Sequence, residues 1–290
     1  MDIITNINEI NEYYEKLGKN LQIGLTKKNL IKELQKKSPE LSNKLKNMSL
    51  AEILSPQKFE TKDQINAKTD KKIICIIWNT ASWKWILWDR LKNELKASYV
   101  DTWKIYRVIT YFYTKNIMQE NWWYDKLVNF LEEYIKIEND KFTIYPYIEQ
   151  IIYSDSKLIN QISKYSNNLN IRKIVNNFII KKLEEFDKES LIIDSREYWI
   201  YITFENFKNE RLPLLQLRIN PETAYQRNNQ RALNQNILSK IPKIEEFLTK
   251  DIADIHREVY PFRYNEFNPI INTNNDQKNI FEMCMDQIKS

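Results

Sequence analysis

Two hydrophobic periods alternate along most of the chain. KKIICII (71–77) sets five consecutive apolar residues behind two lysines, the pattern of a strand buried on both faces of a parallel sheet. LIIDS (191–195) and LPLLQLRI (212–219) repeat that pattern. Between them the spacing lengthens. WKWILWDRLKNELK places Leu87, Leu91 and Leu95 four apart; SYVDT, a helix over Tyr106–Lys115 and a long helical region broken near Asn121 follow. A further helix opens at Pro221. Strands alternating with helices predict an α/β fold around a parallel sheet.

The first 68 residues read differently. Ile7, Ile10 and Tyr14, then Leu30 and Leu34, then Leu41 and Leu45 recur at helical spacing. Thr26 and Ser38 are predicted N-caps, the second followed by Pro39 at the first helical position. SPQKFETKDQINAKTDKK then reads as a polar linker. Residues 1–68 are thus expected to form a helical extension, a small interaction module without chemistry of its own, and residues 69–290 the main domain.

Composition narrows the function. The 42% hydrophobic content supports a sizeable core. No apolar run reaches the ~18 residues of a membrane span, and the opening residues lack a signal peptide's basic and apolar regions. With only Cys75 and Cys284, and no CxxC spacing, a disulfide framework is not expected, and a reducing cytoplasm is the default. His256 is the sole His, which excludes His-rich metal sites. A net charge of +5 suits a phosphate-bearing ligand and is weak support for nucleic acid. No feature specifies an oligomer, and a monomer is expected.

The most informative numbers are two Gly and eight Trp in 290 residues, where average usage would place roughly 20 Gly. The Trp residues fall where Gly is needed. A phosphate loop requires GxxxxGK between a strand and a helix, its N–H groups cradling phosphates and its Lys reaching them. Here Trp78-Asn79-Thr80-Ala81-Ser82-Trp83-Lys84-Trp85-Ile86 has strand, Lys and helix in register, with Trp at both Gly positions. YVDTWKIYR (99–107) and DSREYW (194–199) each carry Trp at a further Gly position. The substitution pattern is that of a gene whose UGA codons mean Gly and have been rendered as Trp. The alternative is a degenerate, non-binding relative with genuine Trp residues, acting as a basic RNA- or protein-binding module through residues 1–68.

With Gly restored, residues 71–290 resemble bacterial cytidylate kinases of the nucleoside monophosphate kinase family. Four motifs in the same order carry the resemblance: the loop at 78–85, YVDTWKIYR, IIDSREYW, and KDIADIHREVYP at 250–261. The resemblance implies a P-loop parallel sheet flanked by helices, a monophosphate-binding insertion at about 110–190 and a lid at about 220–250. It implies transfer of the ATP γ-phosphoryl group to CMP or dCMP with magnesium. It assigns ATP to residues 78–86, with Lys84 on the phosphates. Thr102, Arg107 and Arg172 match positions that hold the monophosphate. Arg196 and Glu197 match the pair that reads the base, while Lys250, Asp254 and Arg257 match the late acceptor motif. Arg227 and Arg231 fall in the lid. Phosphoryl transfer asks for such groups on its own account, because in-line positioning and cations around the developing charge supply most of the catalysis.

Each of these residues also has a plainer reading. Lys84 suits a helix start, Arg107 a solvated face, Asp194 a strand end, and Arg227 with Arg231 an exposed i,i+4 pair. His256 reads as a helix side chain, and ITYFYTKN as core. Several positions depart from the family pattern. Ile86 stands where a hydroxyl would touch magnesium, Ser195 replaces a Gly, Glu197 an Asp and Lys250 an Arg.

Overall fold

The structure, a computed structural model, describes residues 3–4, 9, 12, 15, 25–55, 57–58, 65–67, 69–78, 84–115, 117, 124–195, 202–204, 214–234, 241–256, 263–264, 270–273 and 276–289. Ile7, Ile10 and Tyr14 lie outside them. The first element is a short strand, β1 (Ile3–Ile4). Helices α1 (Lys27–Lys37), α2 (Pro39–Leu45) and α3 (Leu50–Leu54) follow. Thr26 caps α1 as expected, accepting the Asn29 N–H at 3.2 Å. Ser38 stands at the N-cap of α2, but its side chain makes no cap bond, so Pro39 alone marks that start. Ser49 and Glu52 close a reciprocal capping box on α3.

The expected linker contains two short strands, β2 (Gln57–Lys58) and β3 (Ile65–Ala67). The Ile-rich run forms β4 (Lys72–Trp78), followed by α4 (Lys84–Leu95), β5 (Ser98–Asp101) and α5 (Thr102–Thr114). Residues Ile109–Tyr113 of α5 are buried, so ITYFY is core. Next come α6 (Tyr124–Tyr134), β6 (Ile135–Glu138) and β7 (Lys141–Ile144). This hairpin corrects the expectation of a long helical region broken near Asn121. Asn139 (φ 51°) and Asp140 (φ 59°) turn the chain in the left-handed region that Asn and Asp tolerate. Helices α7 (Pro146–Ser154), α8 (Ser156–Ser166) and α9 (Leu169–Lys182) complete the insertion. The remainder is β8 (Ser190–Ser195), β9 (Ile202–Phe204), β10 (Leu214–Arg218), α10 (Pro221–Asn234), α11 (Ile244–His256), β11 (Arg263–Tyr264), β12 (Ile270–Asn272) and α12 (Gln277–Lys289).

The main sheet has the order β1-β12-β10-β4-β8-β5-β7-β6. Its six inner strands run parallel; β1 and β6 close the edges antiparallel. Alternation along β4 explains the layers. Ile73, Cys75 and Ile77 face α5, α6 and α9, meeting Val108, Leu131 and Phe178. Ile74 and Ile76 face α4 and α12, meeting Leu87, Leu91, Ile280 and Cys284. The fold is therefore an α/β, mostly parallel sheet flanked by helices on both faces.

A third core lies outside the sheet. Leu30, Leu34, Leu45 and Ile53 pack with Ile219, Phe247, Leu248 and Ile252. The apolar stripe of the N-terminal helices is thus covered from within the chain, by α11. Among the described residues, no helix is long and apolar enough to cross a membrane.

Candidate active site

Parallel strands β4, β5 and β8 end at one edge of the sheet, where open α/β sheets bind ligands. Register brings Asp101 of β5 beside Asp194 of β8. Residues 79–83 lie outside the described residues, and α4 begins at Lys84. The Lys84 Nζ meets Asp194 Oδ2 at 2.6 Å. Tyr99 donates its hydroxyl to the same oxygen at 2.5 Å, and Thr102 donates to the Asp194 backbone carbonyl at 2.9 Å. Asp194 has no exposed surface. Burial pushes its carboxyl above the usual range, the neighbouring Asp101 adds to this, and Lys84 and Tyr99 pull the other way.

Helix α5 starts beside this carboxylate. Asp101 caps it, accepting the Trp103 N–H at 2.9 Å, so its first turn faces the Lys84–Asp194 pair. One turn on, Arg107 donates from Nη1 to the Ile152 carbonyl at 3.0 Å. Its guanidinium lies 4.6 Å from the centroid of the Tyr153 ring. Lys104 bonds Glu149 at 2.7 Å, a second tie from α5 to α7. Arg172 is buried under α5, its guanidinium 5.8 Å from the Tyr106 ring centroid, and its Nε donates to the Ser166 carbonyl. Helix α11 reaches the same turn from the other side, where Lys250 Nζ sits 5.4 Å from the Trp103 ring centroid. Asp254 follows one turn later, half-buried.

The structure therefore gathers Lys84, Thr102, Arg107, Arg172 and Lys250 around the N-terminal half of α5. Trp78 ends β4, its backbone opposite Leu217 of β10; Trp85 and Ile86 lie in the first turn of α4. Ile86 borders a small cleft with Leu87, Arg90, Gln277 and Ile280. Arg227 and Arg231 sit on α10, the first half-buried, where burial brings its pKa down to about 10, and the second exposed. Asn79, Thr80, Ala81, Ser82, Trp83, Arg196, Glu197 and Arg257 fall outside the described residues. Among the described residues no cluster of three or more His, Cys, Asp or Glu is placed to hold a metal.

Sequence reasoning placed Asp194 in the DSREYW motif and at a strand end, where β8 has it, but gave no role to it, to Tyr99 or to Tyr153. The missed signal was a carboxylate closing a fully buried parallel strand, where charge is too costly to place without partners.

A family model described as Cytidylate kinase matches residues 80–290. No curated protein matches the chain in sequence. Among solved structures, TT1252 from Thermus thermophilus is similar at 12% identity and TM-score 0.36, over 76% of this chain and 96% of that one. Deoxyadenosine kinase from M. mycoides with bound dATP is similar at 14% and 0.35, over 75% and 100%. Dephospho-CoA kinase from Campylobacter jejuni is similar at 14% and 0.31, over 76% and 96%. The match to the family model runs through α4, α5, β8 and α11, the elements that carry the cluster around Asp194, and the chain belongs to the cytidylate kinase family of P-loop kinases.

Proposed function

We propose that the protein transfers the γ-phosphoryl group of ATP to CMP or dCMP. The observation that carries this reading is the placement of Lys84, at the start of α4, against Asp194 and the first turn of α5. A donor phosphate reaching Lys84 would lie beside the helix that bears Thr102 and Arg107. In the reaction an acceptor phosphate oxygen attacks Pγ, the bond from Pγ to the β,γ-bridging oxygen breaks, and ADP leaves. Lys84 would neutralise charge on the donor. Arg107 and Arg172 would hold the acceptor phosphate, for which a planar guanidinium fork is suited. Arg227 and Arg231 would approach from the lid, and Lys250 and Asp254 would meet the acceptor from α11.

Magnesium takes oxygen ligands, usually one or two carboxylates together with substrate phosphates and waters. Asp194, fully buried, is already engaged by Lys84 and Tyr99; Asp101, half-buried beside it in register, is a donor of that kind and would hold the ion. When bound it would neutralise charge on the β- and γ-phosphates. Ile86 contributes no hydroxyl to it.

The Trp residues at 78, 83, 103 and 199 belong to the same proposal: they stand where the phosphate loop and its companion motifs need Gly. Indoles at 78 and 83 would fill the volume of the phosphates and oppose a positive φ. The test is coupled ADP release with ATP, magnesium and each nucleoside monophosphate in turn, on the chain as it stands and with Gly at all eight Trp positions. The Gly-restored chain should turn over CMP or dCMP and the Trp chain nothing. A Gly-restored chain folded by circular dichroism yet inactive with every acceptor would overturn the kinase reading, and TGG codons at these four positions would overturn the Gly reading.

A further inference from the structure

The N-terminal segment has a consistent address in the fold. Ile3–Ile4 pairs with Ile270–Ile271, Gln57–Lys58 with Arg263–Tyr264, and Ile65–Ala67 with Ile202–Phe204. Helices α1 to α3 supply Leu30, Leu34, Leu45 and Ile53, none more than 1% exposed, to the core shared with α11. The described parts of residues 3–67 thus dock, strand by strand and helix by helix, on the described parts of residues 202–273. That stretch carries Arg227, Arg231, Lys250 and Asp254.

The contact closes tightest at the C-terminal end of α11. The last carbonyls of a helix have no partner within it. Lys44, on α2, donates to the His256 carbonyl at 3.2 Å, which also sets a cation at the negative end of the helix dipole. The His256 ring, 7% exposed, returns the bond: Nε2 donates to the Ile53 carbonyl at 2.8 Å, satisfying the last turn of α3. Two helix ends therefore terminate on each other through one imidazole. That imidazole lies two residues beyond Asp254 and six beyond Lys250. At the rim, Lys37 adds an ion pair to Glu246 at 3.2 Å.

We infer that residues 25–54 are an intramolecular brace that sets the position of α11 against α5, with His256 as a positioning residue for Lys250 and Asp254. What the brace acts on rests on the acceptor reading above; that it braces α11 does not. The segment is occupied within its own chain, with its apolar stripe buried and Lys44 and the Ile53 carbonyl bonded to one helix end, so it is a part of the site's scaffold.

The test uses full-length protein in its active form. His256→Leu removes the ring donor, and His256→Gln keeps an N–H near the same place. Loss of one such bond should raise the acceptor KM roughly fivefold, with the KM for ATP unchanged, and His256→Gln should recover most of the loss. Lys44→Ala, at an exposed side chain, should shift the acceptor KM the same way by about twofold. Hydrogen exchange should quicken over residues 244–256 in His256→Leu and Lys44→Ala and stay constant over β4. A parental acceptor KM in His256→Leu alongside faster exchange would overturn the positioning role. Unchanged exchange over 244–256 in both variants would overturn the brace itself. If the parent phosphorylates no acceptor, the kinase reading fails and the exchange experiment alone still decides the brace.

Discussion

The core under the sheet and the core under the N-terminal helices bury the same kinds of aliphatic residue, yet they handle polar groups in opposite ways. Beside the sheet, Thr102, Arg172 and Asp194 are buried, and Asp194 is met by Lys84, Tyr99 and Thr102. In the helical core, the buried hydroxyls of Ser42 and Thr249 bond to the nearby Ile31 and Glu246 carbonyls, and the charged ties lie at the rim. Backbone ladders fix register to the residue, so a carboxylate and its partners can be set within bonding distance. Helix-on-helix packing relies on side-chain shape, which tolerates small slides. The sheet is therefore suited to hold the charged centre, and the helical core to adjust the parts that approach it.

The largest expected effects would break that contrast at its two centres. Phe178→Ala, in the sheet core, should cost about 3–5 kcal/mol, and Leu34→Ala, in the helical core, about 2–5 kcal/mol, both read from urea unfolding. Hydrogen exchange should separate them. Leu34→Ala should loosen residues 27–54 and 244–256 and spare β4 and β8, whereas Phe178→Ala should loosen α9 and the sheet. Equal loosening of both regions by either variant would show that the cores are one unit.

A second prediction concerns the charged centre. Lys84→Ala should lower phosphoryl transfer by about 10²–10³, as loss of a charge-stabilising donor does. Reading the loop alone suggests a variant with its stability intact. The ion pair to Asp194 changes that expectation, because a buried carboxylate would lose its cation. A cost at the lower end of about 3–5 kcal/mol is expected, since the carboxyl can take up a proton and keep its bond to Tyr99. Adding Asp194→Asn to Lys84→Ala should restore stability and leave activity lost. A double variant no more stable than Lys84→Ala would show that the pair contributes nothing to the fold.

The smallest effect is a slope with pH. Burial raises the Asp194 carboxyl above its ordinary value of 3.8. The native state thus keeps a proton that the unfolded chain has already released. That contribution to stability is complete below 3.8 and is lost as pH rises through the native value. The stability of the parent relative to Asp194→Asn should therefore fall as pH rises above 3.8. Denaturant melts at several pH values would show it; a flat or rising difference would mean that Lys84 and Tyr99 outweigh burial.

The strands and most helices of the sheet domain were legible because their signals are local. Consecutive apolar residues at 73–77 and 191–193 admit one environment, a strand covered on both faces, and the four-residue spacing of Leu87, Leu91 and Leu95 admits one period. The hairpin at 135–144 was missed because its alternation is short and flanked by helical patterns; Asn139-Asp140 was its one turn signal. Ser38 shows the converse, a cap residue in the right place whose side chain makes no cap bond. Thr102, Arg107 and Lys250 were legible as candidates through their motifs. Asp194 was not, because nothing in LIIDS says which cation its carboxylate will meet.

What the sequence by itself determined is the alternation of buried strands and helices, the order of the motifs and the placement of Lys84 at a helix start after a buried strand. These follow from periods and spacings within a few residues. Tertiary structure alone decided that Lys84 meets a carboxylate 110 residues away, that Arg107 turns to the end of α7, and that residues 25–54 close on His256. Each of those pairings joins distant segments, and which groups meet is set by strand order and helix packing, the result of burying all the apolar surface of the chain at once.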